Sequence, residues 1–404
     1  MSESGAAGRG KCCQETALQA DGRIRPGTAR KKKKKMPQKQ EKDETMNFRK
    51  LENWEHENTR ALYELVFSED EQSFVDYYYK TRARENQIYG AEDESGIHGM
   101  LHLNPCRVLW NGEELVLWYV VAVATEPDYR HKGLMRSLLT QALKDLEQQG
   151  APFVFLMPAS EAIYTPFGFG RAWPWQWEED RILNLLTKGM EPGGIRPENW
   201  KKADRELLED QELLERLSEK VNQEMTSQFQ LFSKRSPDYY RRLAQEQEVS
   251  GGSLEILFGA QRSAAMTEEA EAVGKARKGQ KLSAASEKTV EAAAGGKDAQ
   301  PLCARCEARE AFPPMMARIT NLEAFITRVR AKERVTKIWY VTDALLPQNQ
   351  GLFELTVTPQ GGQIRRLELL AAEEARIETV DIADLPARLG AANPFCHTMI
   401  CEVV

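Results

Sequence analysis

The segment Val120–Gly170 decides the fold of this chain, and it reads VVAVATEPDYRHKGLMRSLLTQALKDLEQQGAPFVFLMPASEAIYTPFGFG. An apolar run is followed by a short turn that contains Pro127, by the sequence Arg130-His131-Lys132-Gly133-Leu134-Met135, and then by a periodic stretch. The apolar residues of that stretch recur at helical spacing: Leu134, Leu138, Leu139, Ala142, Leu143 and Leu146. This spacing predicts a helix that buries one face and starts close to Gly133.

The turn before this helix has the features of an anion site. The first backbone N–H groups of a helix have no acceptor within it and point back over the preceding turn, where the helix dipole is positive. Arg130 and Lys132 add two cations at the same place. The sequence therefore predicts a site for a pyrophosphate at the turn.

Composition bounds the class of protein. The chain has 404 residues, 41% of them apolar and 29% charged, which is enough for two or three domains with their own cores. Its mean hydropathy is -0.56, and no apolar run approaches the length that spans a bilayer. The start of the chain has no apolar core typical of a signal peptide. We expect a soluble, cytoplasmic protein that does not bind membranes.

Charge is unevenly distributed along the chain. Residues 1–46 hold about twice as many basic as acidic residues, including Lys31 to Lys35, so the remainder is more acidic than the net charge of -6 indicates. An acidic body attracts cationic small molecules and repels nucleic acid. We predict that residues 1–46 are a disordered basic arm. One alternative is an extension upstream of a natural start at Met46. Another is a segment that contacts phosphates or an anionic membrane surface.

The seven cysteines are an odd number and do not resemble an extracellular disulfide framework. Cys303 and Cys306 form one close pair, and the conceivable further zinc ligands are Cys396, His397 and Cys401. Structural zinc sites usually show two close pairs at regular spacing. We expect reduced thiols and no metal, with a zinc site as the alternative.

Periodicity predicts an α/β domain over residues 47–180. Two short helices on either side of Ser68 to Glu71 precede strands at Gln87 to Ala91, Gly96 to Leu103 and Leu115 to Ala124, and the second of these closes at Asn104-Pro105. After the central helix come a strand at Pro152 to Met157, a short helix at Glu161 to Tyr164, and a strand from Phe169 onward. This order predicts a mixed sheet with helices on both faces.

The rest of the chain is predicted to form a mostly helical segment over 181–258, a low-complexity insertion over 259–311, and an α/β domain over 312–404. In the last of these, Asn321 is expected to cap a helix. Strands are predicted at Lys337 to Thr342, Gly351 to Thr358 and Gln363 to Leu370, and a last helix across Asp381 to Leu389. The apolar C-terminus indicates a tail that is tucked into the protein.

Three motifs together resemble a GNAT acetyl-CoA N-acetyltransferase, and more narrowly the enhanced intracellular survival (Eis) branch: Val123-Ala124-Thr125, Arg130 to Met135, and Tyr164-Thr165-Pro166-Phe167-Gly168-Phe169. The resemblance is strongest over 47–180. It has weaker support from Tyr239-Tyr240 with Gly251-Gly252, from Met316 to Ile319, and from Asp343 to Gly351. It implies two tandem GNAT-like domains, of which the second is reduced here, and a sterol-carrier-like α/β domain at the C-terminus.

The resemblance and the physical argument assign the same cofactor residues. Backbone groups of Val123 and Thr125 are expected to pair with the pantetheine arm of acetyl-CoA as a strand would. Arg130 and Lys132 are expected to neutralise its phosphates. Backbone amides from His131 to Met135, including those of Gly133 and Leu134, are expected to bind the pyrophosphate.

Acetyl transfer to an amine needs an acid and a base. Tyr164 is the candidate acid for the departing thiolate, and the alternative is a tyrosine that only packs against Phe167 and Phe169. For the base, the Eis resemblance implies the terminal carboxylate of Val404. Glu126 or Glu161 is the fallback.

The resemblance also implies an aminoglycoside-like or polyamine substrate and a homo-oligomer, in this case a hexamer. Several aromatic residues could line an amine pocket through cation–π contacts or belong to the core: Phe74, Tyr77, Tyr78, Trp118, Trp173, Trp175 and Trp177. His102 is interpreted as a strand residue. The alternative to an enzyme is a non-catalytic binding protein on a GNAT scaffold whose C-terminal domain holds an apolar ligand.

Overall fold

A computed structural model of the protein describes residues 46–174, 199–258, 301–306, 314–368 and 377–400. Over these ranges the chain forms three sheets with helices packed against them. None of the helices in these ranges is long and apolar enough to cross a membrane.

The first sheet is built mainly from the N-terminal part of the chain. Its strands there are β1 Asn47–Lys50, β2 Gln87–Asp93, β3 Gly96–Trp110, β4 Glu113–Thr125, β5 Phe153–Leu156 and β6 Gly170–Arg171. The helices of the same region are α1 Arg60–Val66, α2 Gln72–Tyr77, which continues as a π-helix over Tyr78–Arg82, α3 Leu134–Gln148 and α4 Glu161–Tyr164. The parallel pairing of β4 with β5 among antiparallel neighbours makes the sheet mixed, as predicted.

Helices cover both faces of this sheet. A Cβ atom at Gly99 would lie 3.3 Å from Cδ1 of Leu138, so α3 packs closely on that face of β3. His102, three positions further along, stacks on Tyr78, with 5.9 Å between the ring centroids. Because side chains alternate along a strand, Tyr78 and the helices around it lie on the opposite face. The predicted fold class is confirmed.

One predicted boundary is wrong, since β3 does not end at Asn104-Pro105 but continues to Trp110. β2 pairs with β3 only as far as Leu103, and the strand Leu231–Ser233, which is β8, joins β3 only from Val108. Pro105 therefore lies on a part of the strand that pairs with β4 alone. On its other side the described residues form no neighbouring strand whose hydrogen bonds the missing proline N–H could disrupt.

The second region contains β7 Trp200–Lys202, α5 Arg205–Glu209, α6 Gln211–Gln228, β8 Leu231–Ser233, α7 Pro237–Val249, β9 Leu254–Phe258 and β10 Pro301–Cys306. The second sheet has the order β10-β9-β7. β10 lies within the segment that was predicted as a low-complexity insertion. The strand forms because Leu302, Cys303 and Cys306 are buried in the core of this region. Residues 259–300 and 307–311 of the predicted insertion lie outside the described ranges.

The third sheet, in the order β14-β13-β12-β15, contains β12 Val335–Thr342, β13 Gly351–Thr358, β14 Gly361–Arg366 and β15 Glu378–Asp381. Two helices accompany it, α8 Leu322–Ile326 and α9 Leu385–Arg388. The predicted cap is confirmed, since Oδ1 of Asn321 accepts a hydrogen bond from the Ala324 N–H at 2.9 Å. The predicted last helix is shorter than 381–389 because Asp381 pairs with Thr342 in a parallel ladder.

Distant parts of the chain complete the first sheet. β11 Met316–Ile319 lies between β5 and β6, which gives the order β1-β2-β3-β4-β5-β11-β6. β8 pairs with the far end of β3, and β16 Thr398–Met399 pairs in parallel with β8. Segments that were predicted to belong to the second and third domains thus supply strands to the first sheet. The domain boundaries at 180, 258 and 311 stay a prediction.

Candidate active site

β4 and β5 diverge and leave a gap in the first sheet. They pair only at Trp118 with Val154 and at Tyr119 with Phe155. β5 has β11 as its other neighbour, whereas β4 continues beyond Tyr119 to Thr125. The last part of β4 therefore presents a backbone edge to the gap, and an extended molecule can pair with such an edge.

A bulge in β4 accompanies this divergence. His102 of β3 pairs with Val121 and Met100 pairs with Ala124, so one residue of β3 lies opposite two residues of β4. Ala122 within the bulge has a φ of 50°, a left-handed conformation that costs a non-glycine residue about 1 to 2 kcal/mol. Bulges increase the local twist of a strand and are common beside active sites. The predicted cofactor residue Val123 lies in the bulge beside Ala122, and Thr125 follows two residues later.

The glycine turn covers the end of the gap. Pro127–Tyr129 forms a short 3-10 turn, His131 has a φ of 62°, and Gly133 has a φ of 85° and is the N-cap residue of α3. A Cβ atom at Gly133 would meet no heavy atom within 4 Å, so the requirement for glycine comes from the backbone conformation. No side chain caps the N-terminus of α3. Its first amides are therefore directed over the turn.

The predicted phosphate ligands lie at this turn. Arg130 Nε donates a hydrogen bond of 3.3 Å to the carbonyl oxygen of Thr125, at the end of β4. Lys132 Nζ lies 4.4 Å from the centroid of the Tyr129 ring. The side chain of Leu134 is buried in the core, so its backbone N–H is the group that it can offer a ligand. The Met135 side chain packs against the same core.

Tyr164 ends α4 and is buried, with its ring 5.8 Å from that of Phe169 in an edge-to-face arrangement. The loop after it contacts α3, because the guanidinium carbon of Arg136 lies 5.1 Å from the centroid of the Phe167 ring. The structure thus brings together the two motifs that the sequence separates by about one helix and one strand.

A buried arginine, which the sequence analysis missed, holds the Tyr164 loop. Arg318 of β11 is fully buried, and its Nε donates a hydrogen bond of 2.8 Å to the carbonyl oxygen of Phe167, 151 residues away in the chain. Its Nη2 bonds Oδ1 of Asp343 at 2.6 Å. Gly168 has a φ of 80°, and a Cβ there would lie 2.8 Å from the Arg318 Nε. No local pattern in the sequence indicates this contact, because the partners come from three separate segments.

The C-terminal tail approaches the same region. Ile400 is buried, and its carbonyl oxygen accepts a hydrogen bond of 3.3 Å from Nε1 of Trp173. Trp173 in turn lies against Phe155 of β5, with 5.5 Å between ring centroids. The predicted base, Val404, lies outside the described residues.

The two fallback bases are both engaged in hydrogen bonds. Glu161 forms an exposed ion pair with Nε of Arg171 at 2.8 Å. Glu126 Oε2 lies 2.5 Å from Nδ1 of His98. His98 itself was missed in the sequence analysis, since nothing near it in the chain distinguishes it from an ordinary strand residue.

The aromatic candidates for an amine pocket have structural partners. The Tyr77 hydroxyl donates a hydrogen bond of 3.0 Å to Oε1 of Glu246 in α7, and burial together with this carboxylate raises the pKa of Tyr77 above its usual range. The Tyr78 hydroxyl lies 2.8 Å from Nδ1 of His102. Complete burial lowers the pKa of His102 to about 3, so it is a neutral residue of the strand interior. Trp175 and Trp177 lie outside the described ranges.

Comparison with known proteins identifies the first region. Residues 47–172 match the family model of the acetyltransferase (GNAT) domain. No curated protein sequence matches the chain. Two GCN5-related N-acetyltransferases have similar structures, and each aligns over 89% of this chain and 100% of its own. The one from Anabaena variabilis is 16% identical with a TM-score of 0.57, and the one from Kribbella flavida is 12% identical with a TM-score of 0.55.

A protein from Enterococcus faecalis described as a "Probable N-Acyltransferase" is 15% identical, with a TM-score of 0.53 over 84% of this chain and 88% of its own. At these identities the likeness of the three structures shows the fold. Residues 47–172 match the acetyltransferase (GNAT) domain model, and the chain shares its fold with these three proteins.

Proposed function

We propose that this protein is an acetyl-CoA-dependent N-acetyltransferase that transfers acetyl to a primary amine by direct transfer in a ternary complex. The observation that carries the proposal is the gap between β4 and β5, which ends at the glycine turn and the N-terminus of α3. An edge of backbone groups and an uncapped helix terminus are the two features that an extended chain with a pyrophosphate needs.

Each part of the cofactor has residues that fit it. Val123 and Thr125, on the diverging end of β4, would pair with the amide groups of pantetheine. Amides from His131 to Met135 would bind the pyrophosphate, and Arg130 and Lys132 would neutralise its charge. This arrangement leaves the thioester near β5 and on the side of the Tyr164 loop.

Proton transfers at the amine and at the sulfur accompany the reaction. An alkyl ammonium has a pKa of about 10 in water, so the amine must lose a proton before it attacks the thioester carbonyl. As the C–S bond breaks, the thiolate needs a proton, which the Tyr164 hydroxyl supplies. The proton of the ammonium goes to a carboxylate, and we assign this role to the terminal carboxylate of Val404. The nitrogen loses a second proton as the amide forms, and this proton restores the Tyr164 phenolate to its hydroxyl form.

The position of the tail supports this assignment. Ile400 is buried against Trp173, which packs on β5 beside the gap. Four further residues span at most about 13 to 14 Å, which limits how far the carboxylate of Val404 can lie from Ile400. The Eis resemblance implies this terminal base. From the same resemblance we propose that the C-terminal domain is sterol-carrier-like and that the protein forms a hexamer.

The charge of the chain supports a cationic substrate, and the Eis resemblance implies which kind. The chain has a net charge of -6 that is concentrated outside the basic arm, and such a body attracts cations. We infer a cationic small molecule, such as an aminoglycoside-like compound or a polyamine, or a peptide amine. The test is release of free CoA from acetyl-CoA with a panel of these amines. Bound acetyl-CoA without turnover on any amine would favour the non-catalytic scaffold instead.

Extending the C-terminus by three glycines is expected to lower kcat about 100-fold or more and to leave the Kd of acetyl-CoA nearly unchanged. The extension moves the carboxylate away from the amine without altering a side chain, and a positioned base contributes about 10²- to 10⁴-fold. The matched control is Val404→Leu, which keeps the carboxylate at its place in the chain. Steady-state kinetics of both proteins measure the effect, and an unchanged kcat in the extended protein rules this base out.

A further inference from the structure

A buried histidine joins two carboxylates next to the glycine turn. His98, near the start of β3, is buried, and its Nδ1 lies 2.5 Å from Oε2 of Glu126. Its Nε2 lies 2.9 Å from Oδ1 of Asp93, at the end of β2, and 2.9 Å from Oγ of Ser95. Both ring nitrogens thus face a carboxylate, an arrangement that an imidazolium satisfies with two donated protons.

The same histidine supports the turn itself. Its ring stacks on Tyr129 with 3.7 Å between centroids and an interplanar angle of 8°. Lys132 Nζ lies over the Tyr129 ring, 4.4 Å from its centroid. Since His98 covers one face of Tyr129, the ammonium of Lys132 lies at the other face. The order His98, Tyr129, Lys132 therefore connects the two carboxylates to a proposed phosphate ligand.

The backbone strengthens this connection. The Glu126 N–H donates a hydrogen bond of 2.8 Å to the carbonyl oxygen of His98, and the Tyr129 N–H bonds the carbonyl oxygen of Glu126 at 2.9 Å. The Tyr129 hydroxyl also donates to Oδ2 of Asp93 at 3.3 Å. The start of the turn is thus held to β2 and β3 through this one cluster.

We propose that His98 is a positioning residue for acetyl-CoA: its imidazolium binds the carboxylates of Asp93 and Glu126, so that they neither repel the pyrophosphate nor attract Lys132 away from it. The inference rests on the proposed acetyl-CoA site. With a charged His98, the cluster of Asp93, His98, Glu126 and Lys132 has no net charge. With a neutral residue in its place, the cluster presents a net negative charge to the dianionic pyrophosphate of the cofactor.

The proposal has a pH dependence with a definite sign. The charged and titratable groups around His98 are Asp93 from β2, Glu126 after β4, and Tyr129 and Lys132 from the turn. Burial lowers the pKa of His98, but the hydrogen bonds that its ring donates to Glu126 and Asp93 raise it more, so the pKa lies above its ordinary value of 6.5. The imidazolium is therefore present below that raised pKa and is lost as the pH rises through it. Binding of CoA should weaken over the same range.

The experiment measures the Kd of CoA by titration calorimetry at low salt. We expect His98→Gln to raise the Kd about fivefold to tenfold, because an amide can still bond one carboxylate but supplies no charge. His98→Gln with Glu126→Gln removes one of the two uncompensated carboxylates and should recover part of this loss. The matched control is Arg365→Gln, which breaks an exposed ion pair with Glu354 on the third sheet and should leave the Kd unchanged.

Two further measurements distinguish the proposed electrostatic role of His98 from a purely structural role. The difference in Kd between wild type and His98→Gln should shrink as the pH rises through the His98 pKa, and using this difference cancels the titration of CoA itself. Amide hydrogen exchange over residues 127–135 in the absence of CoA should become faster in His98→Gln. Tyr129→Leu keeps His98 and both carboxylates but removes the stacked ring, so it tests the connection independently if His98→Gln does not fold.

Each outcome is decisive. Wild-type protein that binds no CoA would overturn the proposed function and this role together. Wild-type protein that binds CoA with the same Kd as His98→Gln and Tyr129→Leu would overturn the role of His98 alone. A double variant no better than His98→Gln would overturn the electrostatic explanation.

Discussion

Replacing Tyr164 with Phe is expected to lower kcat by about 10²- to 10³-fold, since the substitution removes the hydroxyl that we propose as the proton donor to the departing thiolate. The ring would keep its edge-to-face contact with Phe169, so the loop should retain its position. The Kd of acetyl-CoA should therefore stay within about twofold of wild type, since the proposed cofactor contacts come from the turn and from β4. Single-turnover release of CoA with a saturating amine measures the chemical step directly.

The control for this variant is Tyr240→Phe. Tyr240 is a buried tyrosine of α7, and burial raises its pKa above its usual range, but it belongs to the core of the second region. Loss of its hydroxyl should not change kcat. If Tyr164→Phe keeps the wild-type kcat, Tyr164 only packs in the core and the thiolate takes its proton from another donor.

Replacing Arg318 with Met is expected to destabilise the protein by about 3 to 5 kcal/mol, because it leaves the buried carboxylate of Asp343 without its cation. Asp343 would keep its hydrogen bonds from Asn349 Nδ2 and from the N–H groups of Leu345 and Leu346, which offset only part of the loss. A fall in Tm of about 5 °C or more should report the change. The Phe167 carbonyl also loses its donor, so kcat should fall through movement of the Tyr164 loop.

Two comparisons separate this effect from a general loss of charge. Arg318→Met with Asp343→Asn removes the uncompensated charge and should restore part of the stability. Arg365→Gln breaks an exposed ion pair, for which the expected change is below about 1 kcal/mol. A Tm of Arg318→Met no lower than that of Arg365→Gln would show that the buried pair does not hold the loop.

Elements that depend on near neighbours in the chain were predicted well. The apolar spacing after Gly133 predicted α3, and the left-handed conformation of Gly133 agrees with a turn that requires glycine. The helix predicted at Glu161 to Tyr164 has those bounds in the structure. Ser236 and Asn321 begin their helices with side-chain caps because each needs only a backbone N–H three residues ahead.

Features that depend on long-range pairing were not predicted. β8, β11 and β16 complete the first sheet although they lie far from it in the chain. The length of β3 depends on which neighbours flank Pro105, and no local rule shows that β2 has already ended there. His98 and Glu126 are 28 residues apart, and their hydrogen bond exists only because β3 and β4 are paired.

The sequence by itself determined the central strand, turn and helix and the GNAT resemblance, because the turn conformation and helical periodicity are encoded within a few consecutive residues. Only the tertiary structure decided how that site is held together. It placed the buried guanidinium of Arg318 against the Tyr164 loop, His98 beneath the glycine turn, and Ile400 beside β5. These contacts join segments whose distance in sequence carries no information about their distance in space, so only packing of the whole sheet brings them together.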